Sequence, residues 1–436
     1  MLIFLQTLVV ITAIYAGVRL RGIGLGLMGA IGTLVLIFAF QLEPGKAPID
    51  VMLIIVAVVL AAAAMEAAGG IQFLLKLAEK IIRSNPKFIT FLGPITTYFF
   101  TLFAGTSHII YGLLPVISEI AIHNKTRPER PMTMSVIASH LAITASPVSA
   151  ATAAMAILVA PSGLGLREIF LICIPSTLLG SIVGVIFMWN KGKSWEKDIN
   201  LSNIKTGSAS QSKFSSKTSL EAKISVILFA FAVLTVSMLG LFPNLLPSYT
   251  NDAGEIQPIK TTVLIEVVMF AAAGIIMLLT KKKPMDISGS PIFKTGMEAM
   301  VSIFGVVWLT DTFLLENLDS IKGILSQFIE QYPFMFVGAL LIFSAIIFSQ
   351  AATTKALMPL GLALGIPAPY LIAMFPAVNG DFIIPGYPTV LAAANFDRTG
   401  STRFGKYLFN HSFMLPGLVS IAATVAIGYL LSKVVI

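Results

Sequence analysis

The side chains best placed to do chemistry in this sequence are one lysine, one aspartate and a set of hydroxyls, found where Gly, Pro, Ser and Thr interrupt apolar runs. Lys355 follows Gln350-Ala351-Ala352-Thr353-Thr354 in an apolar neighbourhood. An ammonium there must either snorkel to a surface or meet an anion, so Lys355 is read as a contact for substrate or for a paired carboxylate. Asp381 lies beside Gly380 and four residues before Pro385, which makes it the candidate for a proton or cation site, or for a partner of Lys355. Hydroxyls and broken backbone recur at Ala104-Gly105-Thr106-Ser107, Thr144-Ala145-Ser146-Pro147, Ser349 to Thr354, and Asn379-Gly380-Asp381 with Pro385-Gly386-Tyr387-Pro388-Thr389. A small anionic ligand at such breaks needs hydrogen-bond donors and positive potential. Freed amides at half-helix N-termini, Ser and Thr hydroxyls and one cation supply them. The candidate binding residues are therefore Gly105, Thr106, Ser107, Thr144, Ser146, Pro147, Ser149, Thr353, Thr354, Lys355, Asn379, Pro388 and Thr389, with Asp381 as the coupling-ion residue. Each hydroxyl alone is a weak sign, since Ser and Thr in apolar helices more often bond their own backbone or a neighbouring helix.

Other chemistries find no support in the sequence. His108, His140 and His411 have no metal-ligand spacing, and His108 near a break reads equally as packing or proton handling. Cys173 is the only cysteine and sits in an apolar stretch, so it reads as a small core residue. Glu66 and Asp311 read as near-interface polar residues or as coupling groups. Neither a phosphate-binding loop, a His-Glu metal motif nor a serine-nucleophile signature is present, which argues against an ATP-driven pump and against an enzyme, and calls for no metal or cofactor.

The elements that must position these residues are membrane helices. With 56% hydrophobic and 11% charged residues and a mean hydropathy of +0.90, the chain cannot be folded away inside a water-soluble globule. At about 20 residues per spanning helix, 436 residues leave room for roughly ten to twelve membrane segments. The net charge of +8 sits in short Lys/Arg clusters between apolar runs, the pattern of cytoplasmic loops and not of a nucleic-acid surface. Met1 to Tyr15 lacks the basic start of a signal peptide and reads as a retained first helix.

Residues 190–221, rich in Ser and Lys, read as a cytoplasmic linker between a first transmembrane repeat at 1–189 and a second at 222–436. Each break in the first repeat has a counterpart in the second. Lys76, Lys80, Arg83 and Lys87 precede the segment Phe88 to Ile122, and Lys125, Arg127 and Arg130 follow it, so two inside loops flank it. That segment is therefore expected to enter and leave from one side, as a re-entrant hairpin with its tip at Gly105 to His108. The fold class expected is an all-α polytopic membrane protein of two inverted repeats, each with five transmembrane helices plus one re-entrant hairpin, and with both termini periplasmic. Non-helical backbone at membrane depth must be buried in protein or line a cavity, so the two tips and two broken spans are expected to converge on one site.

The stretches Ala68-Gly69-Gly70, Asn85-Pro86-Lys87, Phe103-Ala104-Gly105-Thr106, Arg127-Pro128-Glu129-Arg130-Pro131, Ile143-Thr144-Ala145-Ser146-Pro147, Ser349-Gln350-Ala351-Ala352, Tyr387-Pro388-Thr389 and Phe409-Asn410-His411 run the length of the chain. Together they resemble the anaerobic C4-dicarboxylate transporters of the Dcu family. Ser349 to Leu362 and Ile143 to Ala151 look closer to the DcuA branch, while Arg127 to Pro131 is similar to the DcuB branch. The resemblance implies exchange or uptake of fumarate, malate, succinate and L-aspartate across a bacterial inner membrane under anaerobic conditions. Protons, or else sodium, are the implied coupling ions. It also implies kinship with an ion-transporter superfamily whose hairpins and broken helices move as an elevator, and by analogy a homodimer in the lipid bilayer. Asp381 and Gly386 depart from the family pattern, which leads one to expect an apolar or aromatic residue and a Thr there. The rival readings are an anion channel, against which the paired hairpins argue, and a transporter of another small carboxylate.

Overall fold

Long apolar runs fold as helices here because, away from water, only a helix or a closed barrel satisfies its own backbone hydrogen bonds. A computed structural model describes residues 2–20, 23–47, 49–191, 219–250, 254–331, 334–347, 349–384, 387–397, 399–404 and 410–436. Most of the expected linker, residues 192–218, lies outside the described residues, as do Pro385 and Gly386.

The first half comprises α1 (Leu2–Leu20), α2 (Gly24–Phe40), α3 (Ile49–Ala67), α4 (Gly70–Ser84), α5 (Ile89–Ala104), α6 (Ile110–His123), α7 (Glu129–Ile143), α8 (Ala150–Val159) and α9 (Leu166–Met188). The second half begins with α10 (Leu220–Leu241), a short exposed hairpin of β1 (Ser248–Thr250) and β2 (Ile256–Pro258), α11 (Thr261–Leu279), α12 (Pro284–Ser288) and the long α13 (Pro291–Gln331). It continues with α14 (Met335–Ile347), α15 (Gln350–Ala363), α16 (Ala368–Met374), a 3-10 stretch Phe375–Phe382, α17 (Pro388–Phe396) and α18 (Met414–Val435).

Among the described residues, six helices are long and apolar enough to cross a membrane alone: Pro86–Ala104, Leu166–Met188, Leu220–Leu241, Thr262–Leu279, Pro291–Asn317 and Met414–Val435. Met52–Ala67 with Gly70–Ser84 makes a seventh candidate, bent by 76° at Gly69, whose φ of +86° suits only a residue without Cβ. The expected ten full-length spans are thus not ten long helices. Two of them are divided by the breaks, as α7/α8 and as α16/α17, and others, such as α1 and α2, offer shorter apolar stretches. The hairpin arms are unequal as well: Pro86–Ala104 reaches a spanning length that Ile110–His123 does not.

One difference from the expected loops is α4, which carries Lys76, Lys80 and Arg83. Leu74, Ala78 and Ile82, spaced by four, bury one stripe of this amphipathic helix. Its polar face ties Arg83 to Glu79 at 2.8 Å and to Glu119 of α6 at 3.1 Å.

Packing sorts the helices into two groups. In one, α2 lies against α1 and α13, and α3 against α11 and α13. Here the backbones of α2 and α13 touch, since a Cβ on Gly305 would overlap the carbonyl oxygen of Gly26. In the other, α9 packs on α18, α5 on α7, α16 on α18, and α14 on the 3-10 stretch. A polar seam joins α5 to α7, where Thr101 and Ser139 hydroxyls meet at 2.7 Å and Thr97 donates to the carbonyl of Ser135 at 3.0 Å. The arm α15 lies between the groups, against α8 and α13. Cys173 is buried in this core, its thiol directed at the carbonyl of Ile372.

Candidate functional site

The site is built from four interruptions of helical backbone. The first is the turn between α5 and α6, where Gly105 adopts φ +70° and a Cβ would stand 2.9 Å from both the Cγ2 and the carbonyl oxygen of Val148. The first hairpin tip therefore rests directly on the second interruption, the segment Thr144 to Ser149 between α7 and α8. There the Ser149 hydroxyl accepts from the amide of Thr152 at 3.1 Å and donates to the carbonyl of Ile143 at 2.6 Å, capping α8 while holding the end of α7. The third interruption, between α14 and α15, is capped alike: Ser349 accepts from the amide of Ala352 at 3.3 Å. The fourth runs from the 3-10 stretch, which loses helical geometry at Asn379 (φ −90°, ψ 26°), to Pro388 at the start of α17.

Side chains then link these breaks in two rungs. Asn379 Nδ2 donates to the Thr144 hydroxyl at 3.3 Å and to the carbonyl of Pro376 at 2.9 Å. One turn earlier on α7, His140 Nδ1 lies 2.9 Å from Asp381 Oδ1, with the two side chains only 1% and 0% exposed. That contact has ion-pair distance but not hydrogen-bond alignment, and it is an ion pair only when both ring nitrogens carry protons. His140 Nε2 meets the Thr389 hydroxyl at 2.7 Å, and Gln350 Nε2 donates to Asp381 Oδ2 at 2.6 Å. The Tyr387 ring stands edge-on to His140 at 5.0 Å, and its hydroxyl is within hydrogen-bonding reach of Ser107 and Gln350. The turn between α5 and α6, the α7–α8 break, the head of α15 and the segment leading into α17 thus contribute to one buried polar cluster.

Several groups on these elements find no hydrogen-bond partner among the described residues. The Nζ of Lys355, the hydroxyl of Thr353 and the Oδ1 of Asn379 are buried and lack a hydrogen-bond partner among the described residues. An unpartnered buried ammonium is costly, and a carboxylate ligand is its natural complement.

The remaining candidates divide by role. Thr354 donates to the carbonyl of Gln350 at 2.7 Å and Thr144 to that of Leu141 at 2.9 Å, so both hydroxyls serve their own helices, although Thr144 still accepts from Asn379. Ser146 accepts from the amide of Val148 at 3.4 Å within the break, where Pro147 is also buried. Thr106 is half-buried at the first tip, beside the buried Ser107. Pro388 is exposed as the first residue of α17, and it is Thr389 that faces inward.

Asp381 is not the partner of Lys355: its oxygens are engaged by Gln350 and His140. Two residues escaped the sequence reading, His140 and Gln350. The signal for His140 was its place four residues before Thr144, on the same helix face as a residue already singled out. Glu66 and Asp311 hold backbone amides, those of Ile292 at 2.8 Å and Lys46 at 2.6 Å, so their geometry is that of structural anchors. His411 likewise contacts backbone, at the carbonyl of Ile383.

A second polar cluster lies where α7 begins. The buried Arg127 and Glu129 pair at 2.7 Å, Glu129 accepts from Ser412 at 2.6 Å, and its amide donates to Ser401 at 3.0 Å. Arg130 donates to the carbonyls of Trp189 and Lys191 beyond α9. Burial lowers the Lys191 ammonium below its ordinary value, opposed by the negative charge of Glu129.

The sequence model of a family described as "Anaerobic c4-dicarboxylate membrane transporter" matches residues 2–436. The C4-dicarboxylate transporter DcuA of Wolinella succinogenes is 39% identical over 445 residues, covering 100% of both chains. DcuA of Escherichia coli K12 is 38% identical over 439 residues, covering 99% of each. The anaerobic C4-dicarboxylate transporter DcuB of Escherichia coli O6:H1 is 36% identical over 446 residues, covering 99% of this chain and 98% of that protein. Among solved structures, the YdaH transporter of Alcanivorax borkumensis superposes with a TM-score of 0.56 over 96% of this chain and 98% of its own. At 13% identity that likeness speaks for the fold alone.

Proposed function

The chain belongs to the anaerobic C4-dicarboxylate membrane transporter family, and from that premise we propose that it is a secondary active carrier of C4-dicarboxylates, not an enzyme, in a bacterial inner membrane. Fumarate, succinate, malate and L-aspartate are the proposed substrates. The observation that carries the reading is the buried Nζ of Lys355, without a hydrogen-bond partner among the described residues, together with the unsatisfied Thr353 hydroxyl on the same helix and the Asn379 amide oxygen in the fourth break. One substrate carboxylate meets Lys355. The other is taken by donors at the breaks, drawn from Gly105, Thr106, Ser107, Thr144, Ser146 and Thr389, with Pro147, Ser149, Thr354 and Pro388 shaping the backbone around them.

A dianion moving alone across the membrane works against about 2.3 kcal/mol per charge for each 100 mV. Exchange for another dianion, or co-transport with protons or sodium, removes that barrier, and Asp381 is the proposed coupling residue. The two packing groups support an elevator motion, in which the group around α9, α18, α5 and α7 slides against the group around α2, α3, α11 and α13. The pairing of broken segments supports two inverted repeats, 1–189 and 222–436 joined through 190–221, with both termini periplasmic; a homodimer completes the proposal.

Uptake of labelled succinate into proteoliposomes tests it. Vesicles preloaded with fumarate, aspartate or buffer are compared with and without proton and sodium gradients. Acceleration by internal dicarboxylate marks exchange, and uptake driven only by an ion gradient marks symport. No dicarboxylate flux under any of these conditions refutes the reading.

A further inference from the structure

We propose that His140 and Asp381 together form the proton-binding site of this carrier, and that the proton held there enters with the dicarboxylate. The inference rests on the transport reading above and deepens it, because it names the residue pair, the ligand and the linkage. With one ring nitrogen protonated, the imidazole and carboxylate carry one net negative charge in a place closed to solvent. A second proton on the ring makes an imidazolium facing a carboxylate at 2.9 Å, neutral overall. No bond to carbon forms or breaks; a proton passes from solvent to a ring nitrogen. A nearby dianion is repelled by the first state and tolerated by the second, so substrate and proton bind better together than apart.

The connections of the pair are what make it more than a packed ion pair. Asp381 Oδ2 is held by Gln350, at the head of the same arm that carries Lys355 five residues on. His140 Nε2 is held by Thr389, at the head of α17. A change of charge at the pair is therefore felt at one hairpin tip and one broken span at once. Among the titratable groups on the surrounding elements are Tyr387, Tyr98 on α5, Tyr111 on α6, Cys173 on α9 and Lys355 on α15, with Glu119, His123, Arg167, Glu168, Tyr370, Tyr429 and Lys433 further along the same helices or on α16 and α18. His108 at the first tip has its side chain outside the described residues.

The test is calorimetric titration of the detergent-purified full chain with fumarate between about pH 6 and 8.5, in buffers of different ionisation enthalpy. Fumarate keeps both carboxylates ionised across this range, so any proton taken up goes to the protein. The expected result for the wild type is uptake approaching one proton per fumarate at the alkaline end, with Kd rising toward tenfold per pH unit there. In H140Q, which keeps a polar side chain of similar reach, proton uptake vanishes and Kd, whatever its absolute value, moves less than about twofold over the range. Wild-type binding without proton uptake overturns the proposal and needs no variant to fold. Uptake that persists in H140Q with an unchanged profile also overturns it and points to Lys355, which K355M then checks. A wild type that binds no C4-dicarboxylate overturns the transport reading itself, and this inference with it.

Discussion

Replacing Lys355 by Met separates the function of a buried charge from its effect on stability, because the two are expected to move in opposite directions. The Lys355 Nζ is buried without a hydrogen-bond partner among the described residues. Methionine keeps the length and flexibility of the side chain but removes the desolvated ammonium. Replacing buried charge by well-packed apolar atoms is typically neutral to stabilising, by about 1–4 kcal/mol, whereas breaking a buried pair costs about 3–5 kcal/mol. In a chain of this size such a gain raises the melting temperature by roughly one to a few degrees. Binding moves the other way. A hydrogen bond to a charged group contributes about 1.5–3 kcal/mol, and each 1.4 kcal/mol is tenfold, so Kd for fumarate is expected to rise by roughly ten- to a hundredfold. Thermal melting of the purified protein, followed with and without fumarate, reads both effects together. Ligand at a hundred times Kd stabilises by about 2.7 kcal/mol, so the wild type shows a clear ligand-dependent upward shift and K355M loses most of it. A variant that melts lower than the wild type, or that binds within twofold of it, refutes the argument, since Lys355 would then be a paired structural cation.

Three further substitutions probe how the site is held. G105A places a Cβ at φ +70° and 2.9 Å from Val148, adding roughly 1–2 kcal/mol of left-handed strain at the first tip, and is expected to slow proteoliposome uptake severalfold. G305A drives a methyl into the carbonyl of Gly26; overpacking of about 1–3 kcal/mol should lower the melting temperature while leaving fumarate affinity in the surviving folded fraction near wild type. E129A breaks the buried ion pair with Arg127 and removes the acceptor of Ser412, so a loss of up to about 3–5 kcal/mol is expected by thermal melting, and E129Q is expected to recover part of it through the remaining hydrogen bond.

The sequence announces where helices must stop more clearly than what side chains do at the stops. Gly105, Pro147 and Pro388 interrupt apolar runs, and Gly at positive φ and Pro without an amide donor favour a break there, although Pro94, Pro115, Pro175 and Pro359 stay inside helices. The breaks at 104–107, 144–149, 349 and 379–387 were therefore legible. Hydroxyl roles were not. Thr353 and Thr354 are neighbours of the same class, yet one is unsatisfied and the other is bonded to its own helix, a difference set by which face of α15 each occupies. The pairing of His140 with Asp381 was not legible, because the two lie 241 positions apart and no spacing rule reaches across that distance, although the place of His140 one turn before Thr144 set it on the site face of its helix. The basic stretch Lys76 to Arg83 was read for its charge alone, and its apolar stripe of Leu74, Ala78 and Ile82 makes a helix of it.

The four breaks explain each other energetically. An unsatisfied backbone group in lipid costs several kcal/mol, so a broken helix at membrane depth persists only if something replaces the lost bonds. At two of the breaks a serine does so, Ser149 for α8 and Ser349 for α15, each accepting from an amide in the first turn. At the other two the first tip leans on Val148, and Asn379 spans from the carbonyl of Pro376 to Thr144. Two breaks are thus supported from within by a serine, while Asn379–Thr144, His140–Thr389 and Gln350–Asp381 tie breaks to one another. Within that mutual support, Lys355, Thr353 and Asn379 keep unsatisfied atoms that the protein's own backbone could easily have absorbed. Groups held unsatisfied beside an otherwise well-bonded network have the arrangement expected of a site that is completed by an anionic ligand.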